Sequence, residues 1–510
     1  MKEVDSLWIV RLFHRFTIWL AHYRVTFLSG LISGLLAHVF AFTNKFVNHD
    51  EVAFLFSKGA TASSGRWFLD ALDIFLPNFS MPWIYGILTI VLISLAVCLM
   101  SDLFGIRSRV LQALLGSCVL VFPSLTGTFS YMFTSSAYGV AFLLAVLGVW
   151  MICKVRFWVI AGLISTILSL GIYQPYIAIS ATLLVLVLIQ DLLQGQQALP
   201  IFKRGLFYLG FLVLSLGLYM LITELILKLT HTQLSSYADD RVIFQLSLIP
   251  QRALMAYREF FNIFTQGAFG LTSSTESLHC LLAVVCVGLL VCWLWTGEHR
   301  PSSVALLLIL IALLPLSINC MFLFADESAI HTLVLYSFIG FYLFAVVLLQ
   351  EVFPKNKISV VVAKLLKNIG ICLMSLVIIG NIFLANQAYL HLHLRYENAF
   401  SFYSNVLSAI QQSPEFQEGY KIAILGWRSP EAYASQFDDV MEIAGIKGLF
   451  LGDYSVPQFI EYYLGVSLPF ADQARVEQLY QTEQFRQMPV YPYAGSIQCI
   501  DDCLVVKLSE

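Results

Sequence analysis

Asn48, His49, Asp50 and Glu51 stand directly after a long apolar run, within the stretch FVNHDEVAFLF at residues 46–56. Carboxylates beside a membrane span are costly unless they face water or bind something. Asp50 or Glu51 could take a proton from an acceptor hydroxyl. Lys58 and Arg66, a little further on, are cations able to hold a phosphate, Arg66 through the two-pronged contact of a guanidinium. A base, a phosphate partner and a groove for a lipid tail are what transfer of a sugar from a lipid phosphate needs at a membrane surface. A competing account makes Asp50 and Glu51 caps of a helix entering the loop. In that account Arg66 reaches lipid headgroups and Trp67 sits in the aromatic belt.

Polar and aromatic residues recur where later apolar runs end. TGTFSYMFTSSAYG (126–139) carries Tyr131, and GIYQPY (171–176) carries Tyr173 and Gln174. Each could hydrogen-bond or stack on a sugar, or act as an interfacial anchor. Pro175 should kink its helix and free backbone carbonyls, which favours an outward-facing cavity. Asp239, Asp240, Arg241, Arg252 and Arg258 could hold an anionic donor or form a solvated face. Asp326 and Glu327, near His331, admit an auxiliary acidic role or a helix cap. His49 and His331 lack closely spaced further ligands, so the sequence gives no metal site.

The elements that must position these residues are membrane helices. Of 510 residues, 59% are hydrophobic and 12% charged, which argues against a soluble globular protein. The net charge of −3 gives no reason to expect nucleic-acid binding. Eleven spans are expected, at 25–43, 83–103, 108–123, 134–152, 157–172, 174–191, 205–228, 278–296, 302–318, 331–350 and 369–386. No signal-peptide cleavage site precedes the first, so it reads as retained. With the N-terminus in the cytosol, Lys and Arg on the inner side outnumber those outside about two to one.

The expected organisation is a cytoplasmic N-terminal segment (1–24), a transmembrane domain (25–386) and an extracytoplasmic C-terminal domain (387–510). The transmembrane domain has two long outer loops, 44–82 and 229–277, in which helices at the membrane surface begin near Arg66 and run through IPQRALMAYREFFNIF. In the C-terminal domain YKIAILGW and CLVVKL read as buried strands, and PQFIEYYLGV and ADQARVEQLYQTEQF as helices, giving a small α/β domain with no phosphate or nucleophile motif. Most of the ten cysteines lie in apolar runs as small buried hydrophobes. Cys499 and Cys503 of CIDDC admit a short-loop disulfide or two free thiols.

In order along the chain, NHDE after the first span, GRW at 65–67, SYMFTSSAYG, YQPY and the closing YPYAGSIQCIDDCLVVKL resemble the bacterial GtrII-like glucosyltransferases. The resemblance implies a polytopic α-helical membrane protein of GT-C-like fold, about 11 transmembrane helices, in the bacterial inner membrane, with the C-terminal domain in the periplasm. It implies transfer of glucose from a polyprenyl-phosphate-glucose donor to an O-antigen or other surface glycan. The pathway partners are a donor-synthesising enzyme, a donor flippase and a lipid-linked or surface glycan acceptor. The first-loop acidic residue falls on Asp50, with Glu51 its partner or substitute. Arg66 falls on the leaving phosphate or the sugar, with Arg241 or Arg252 as a second cation. The chemistry requires no cofactor, although a divalent metal remains compatible with it. A flippase would instead place ionisable residues along a central pathway within the spans, and a GT-C transferase of another sugar shares every feature named.

Overall fold

The computed structural model describes residues 8–46, 48–77, 79–155, 157–235, 246–265, 273–296, 299–325, 330–352, 357–417, 419–427, 434–446, 451–452 and 454–509. The chain opens on α1 (Trp8–His22), an amphipathic helix that passes through Tyr23 alone into α2 (Arg24–Thr43). The first long loop holds α3 (His49–Ala53) and α4 (Trp67–Ala71). There follow α5 (Pro82–Leu103), α6 (Arg109–Leu120), α7 (Pro123–Ser130), α8 (Met132–Lys154), α9 (Val159–Ile172), α10 (Ile177–Leu193) and α11 (Ala198–Thr230). The second long loop contains α12 (Ile249–Asn262), and α13 (Ser273–Thr296), α14 (Pro301–Ile318) and α15 (Ile339–Glu351) return through the bundle.

Ten described helical segments are long and apolar enough to cross a membrane. They coincide with the expected spans except at 157–172, where α9 has 14 residues. That is about 21 Å of helix against roughly 30 Å of hydrocarbon. The span expected at 108–123 continues to Ser130 but breaks in two. Phe122 precedes a proline and is extended (φ −66°, ψ 139°), after which Pro123 starts α7. The break between α9 and α10 falls at extended Tyr173, followed by one tight turn, Gln174–Tyr176.

α5, α6, α8, α10, α15 and the long helix at Lys357–Gln412 contribute more than half of one continuous buried core, and α15 is buried from Ile339 to Leu349. α11 instead shows Leu206, Leu209, Val213, Leu214, Met220 and Leu221 on its surface, the face a lipid-contacting helix presents.

The last long helix, α16 (Lys357–Gln412), has 56 residues. It runs on without a break past residue 387, where composition turns polar, and its outer half is the base of the C-terminal domain. Ala399, Tyr403, Val406 and Ile410 form one core with Ile422, Phe459 and Leu504. The domain's sheet is mixed. β1 (Lys421–Leu425) runs parallel to β3 (Cys503–Lys507), and β2 (Ile497–Ile500) pairs antiparallel on the other side of β3. Helices α17 (Val456–Tyr463), α18 (Gln473–Gln481) and α19 (Glu483–Gln487) pack on it.

The β2–β3 register decides the question of Cys499 and Cys503. Cys499 lies opposite Leu504, so it shares that residue's face of the sheet. Cys503 is the next residue along β3 and points to the other face, with Val505 and Ile500. The two sulfurs are on opposite sides of the sheet, and both are free thiols.

Candidate functional site

The NHDE segment folds as the first turn of α3. Asn48 is buried, and its Oδ1 accepts from the Glu51 N–H at 2.8 Å while its Nδ2 donates to the Ser130 carbonyl at 2.6 Å. The cap of α3 is therefore Asn48, and neither Asp50 nor Glu51 performs that role. Asn at the cap with Glu three residues on is a capping-box spacing, the sequence signal that could have found this arrangement.

The two carboxylates have separate surroundings. Glu51 is fully buried. Its Oε1 accepts from Lys45 Nζ and Ser80 Oγ, and its Oε2 from the Phe133 N–H at 3.2 Å. It thus ties both ends of the first long loop to the start of α8. Asp50, one step round the helix, has a side chain one-third exposed. Its Oδ1 accepts from Tyr454 Oη at 2.6 Å, and its Oδ2 lies 3.8 Å from His49 Nε2.

Tyr454 precedes α17 and brings the C-terminal domain onto the Asp50 carboxylate. Tyr463, at the other end of α17, has a buried hydroxyl with no hydrogen-bond partner among the described residues. Burial, with the negative charge of Glu51 as the next cause, raises its pKa far above the usual phenol range, so it stays a proton donor. Neither tyrosine was singled out in the sequence. Tyr131 lies close by, following Ser130, and packs beneath Gly445. Gly445 has φ +79°, and a Cβ there would meet Ser130 Oγ at 1.8 Å, so this contact requires glycine.

A second group forms around Arg66. Gln174 Nε2 donates to the Ser64 carbonyl (3.0 Å) and to Tyr219 Oη (2.9 Å), and Tyr219 Oη donates to the Gly65 carbonyl (3.0 Å). Gly65 has φ +73°, and a Cβ would come 2.6 Å from Tyr219 Oη. Trp67 donates to Thr223 Oγ1 at 3.1 Å and lies against Gly171. GRW is thus docked on α9 and α11. Arg66 is part-buried, its guanidinium 5.6 Å from the ring centre of Tyr173, which itself stacks on Tyr138 at 4.2 Å. Five residues of α8 separate Phe133, at the Glu51 carboxylate, from Tyr138, about 7.5 Å along the helix axis. Both groups therefore lie at the same end of the bundle.

Of the remaining candidates, Lys58 and Arg252 are among the described residues. Lys58 is buried, with Nζ 3.4 Å from the Leu69 carbonyl. Arg252 is buried on α12 and donates to the Leu323 carbonyl at 3.3 Å. Arg241, Asp326 and Glu327, with Asp239 and Asp240, lie outside the described residues. Among the described residues no three His, Cys, Asp or Glu side chains gather to hold a metal ion.

Because Asp50 is the exposed carboxylate and Tyr454 Oη its donor, Tyr454→Phe keeps the ring packing and removes one hydrogen bond to a charged group, worth about 1.5 kcal/mol. The expected result is a fall of about tenfold in the turnover of whatever reaction Asp50 serves, with the protein still folded and its unfolding temperature lowered by a few degrees at most. Equal turnover in both proteins would show that Tyr454 does not position Asp50.

A family model described as Glucosyl transferase GtrII matches residues 39–350, which include Asp50, Glu51, Arg66, Tyr173 and Gln174 and leave out Tyr454 and Tyr463. No curated protein and no solved structure matches the chain.

Proposed function

Since the chain belongs to the GtrII glucosyl transferase family, we propose that it transfers glucose from a polyprenyl-phosphate-linked donor to a surface glycan, O-antigen or a related polysaccharide. The reaction takes place on the outer face of the bacterial cytoplasmic membrane, in a GT-C-like bundle with a cytosolic N-terminus and a periplasmic C-terminal domain. The observation that carries this reading is the division between the two adjacent carboxylates. Glu51 is locked in the protein interior, while Asp50 is water-accessible and oriented by Tyr454.

The reaction is a displacement at the anomeric carbon. Asp50 accepts the proton of the acceptor hydroxyl as its oxygen bonds to that carbon, and the bond from carbon to the phosphate oxygen breaks. Polyprenyl phosphate leaves with the bonding pair, its charge facing Arg66. Tyr131, beside α3, is placed to contact the acceptor or the sugar. Tyr173 and Gln174 act through Arg66 by holding its ring platform and its loop.

The test is transfer of labelled glucose from synthetic polyprenyl-phosphate-glucose to glycan by the purified protein. A folded wild-type protein that consumes no such donor would refute the glucosyl-phospholipid assignment. Arg66→Lys keeps the charge and loses the planar fork, so donor kcat/KM should fall about 10- to 100-fold. Unchanged kinetics would remove Arg66 from the phosphate.

A further inference from the structure

At the end of the bundle opposite Asp50, a cavity of about 510 Å³ opens where α5, α10 and α15 end and α6 and α16 begin. This is the size of a small-molecule site. Phe104, Leu111, Leu349 and Ile371 give it apolar walls, and Arg107, Lys364 and Lys367 supply three cations. Its one carboxylate, Glu351, is already engaged. Glu351 Oε1 accepts from the side-chain amides of Gln190 (2.9 Å), Gln194 (3.2 Å) and Gln350 (3.0 Å). Three amide donors on that oxygen hold the carboxylate against the wall, where its charge acts on Lys367, and among the described lining residues three cations against one carboxylate leave the cavity net positive. The amino end of α6, capped by Ser108, opens on the same space and adds its positive dipole.

The helices that form the cavity are the apolar spans themselves, so its mouth lies at the level of lipid headgroups. Arg107 and Lys364 are exposed there. We propose that this cavity binds the phosphate of an anionic phospholipid, with an acyl chain against Leu111, Leu349 and Ile371, on the face that the Lys and Arg distribution assigns to the cytosol. A zwitterionic headgroup has no net charge to offer the three cations and binds more weakly.

The full chain, delipidated in neutral detergent, is titrated with phosphatidylglycerol, phosphatidylcholine or inorganic phosphate while bound lipid is counted by native mass spectrometry. Phosphatidylglycerol should fill one saturable site, and phosphatidylcholine should bind about tenfold more weakly. Arg107→Gln or Lys364→Gln should weaken phosphatidylglycerol about fivefold, and the triple variant with Lys367→Gln about a hundredfold. Lys203→Gln, an exposed cation outside the cavity, should change nothing. Equal affinity for the two lipids, or full binding by the triple variant, would overturn the proposal. So would displacement of phosphatidylglycerol by submillimolar inorganic phosphate, which would make free phosphate the ligand. Should the triple variant fail to fold, exposed Lys364→Gln alone decides, and unchanged affinity there overturns the proposal.

Discussion

Asp50→Asn is expected to abolish glucosyl transfer and leave the protein folded. The substitution keeps the shape of the side chain, and the amide oxygen can still accept from Tyr454 Oη, which lies 2.6 Å from the carboxylate. No buried charge is lost, because the Asp50 side chain is one-third exposed. What disappears is the ability to take a proton, which as general-base catalysis is worth about 10²- to 10⁴-fold. Labelled-glucose transfer and thermal unfolding, measured on the same preparation, separate the two effects. An active Asp50→Asn beside a folded, inactive Glu51→Gln would move the base by one residue.

The second large effect is on stability. Lys45→Met should destabilise the protein by about 3 kcal/mol or more, because it leaves the fully buried Glu51 carboxylate without its cation. Lys45 is a quarter exposed, so the reverse change, Glu51→Leu, should cost less, water taking up part of the stranded ammonium's solvation. It still orphans the Phe133 N–H and leaves Ser80 Oγ with the Lys45 ammonium as its remaining partner. The double variant should recover most of the loss, since neither unpaired charge remains. Denaturant unfolding of the four proteins measures the coupling. A Lys45→Met protein as stable as wild type would show that the pair does not hold the loop.

The acidic pair was legible because two carboxylates stood where an apolar run met a polar loop. The roles of the two were not, since they depend on contacts made across the fold. Tyr454 is 404 residues from Asp50, and Ser80 and Phe133 reach Glu51 from other elements. Arg66 was found as a cation of the first long loop, and Tyr173 and Gln174 as polar residues where an apolar run ends. Only folding shows that Gln174 holds the loop carrying Arg66, or that Tyr173 lies under its guanidinium. The spans could be read because apolar runs of membrane length allow few alternatives. The course of α16 beyond residue 387 was masked by a polar composition. The clue was the lack of any Gly or Pro between Gly380 and Pro414, which leaves nothing to stop a helix.

That unbroken helix carries the geometry of the membrane bundle into the C-terminal sheet. About 84 Å of continuous helix carries Asn386, bonded to the Leu36 carbonyl of α2, and Arg395, bonded to the Ile446 carbonyl of the C-terminal domain. The azimuth of Tyr454 about Asp50 is therefore locked to the winding of a single rod. One residue more or less would swing the soluble domain by about 100° and carry its tyrosine off the carboxylate. The C-terminal sheet and its helices are geared to the membrane bundle through that one rod.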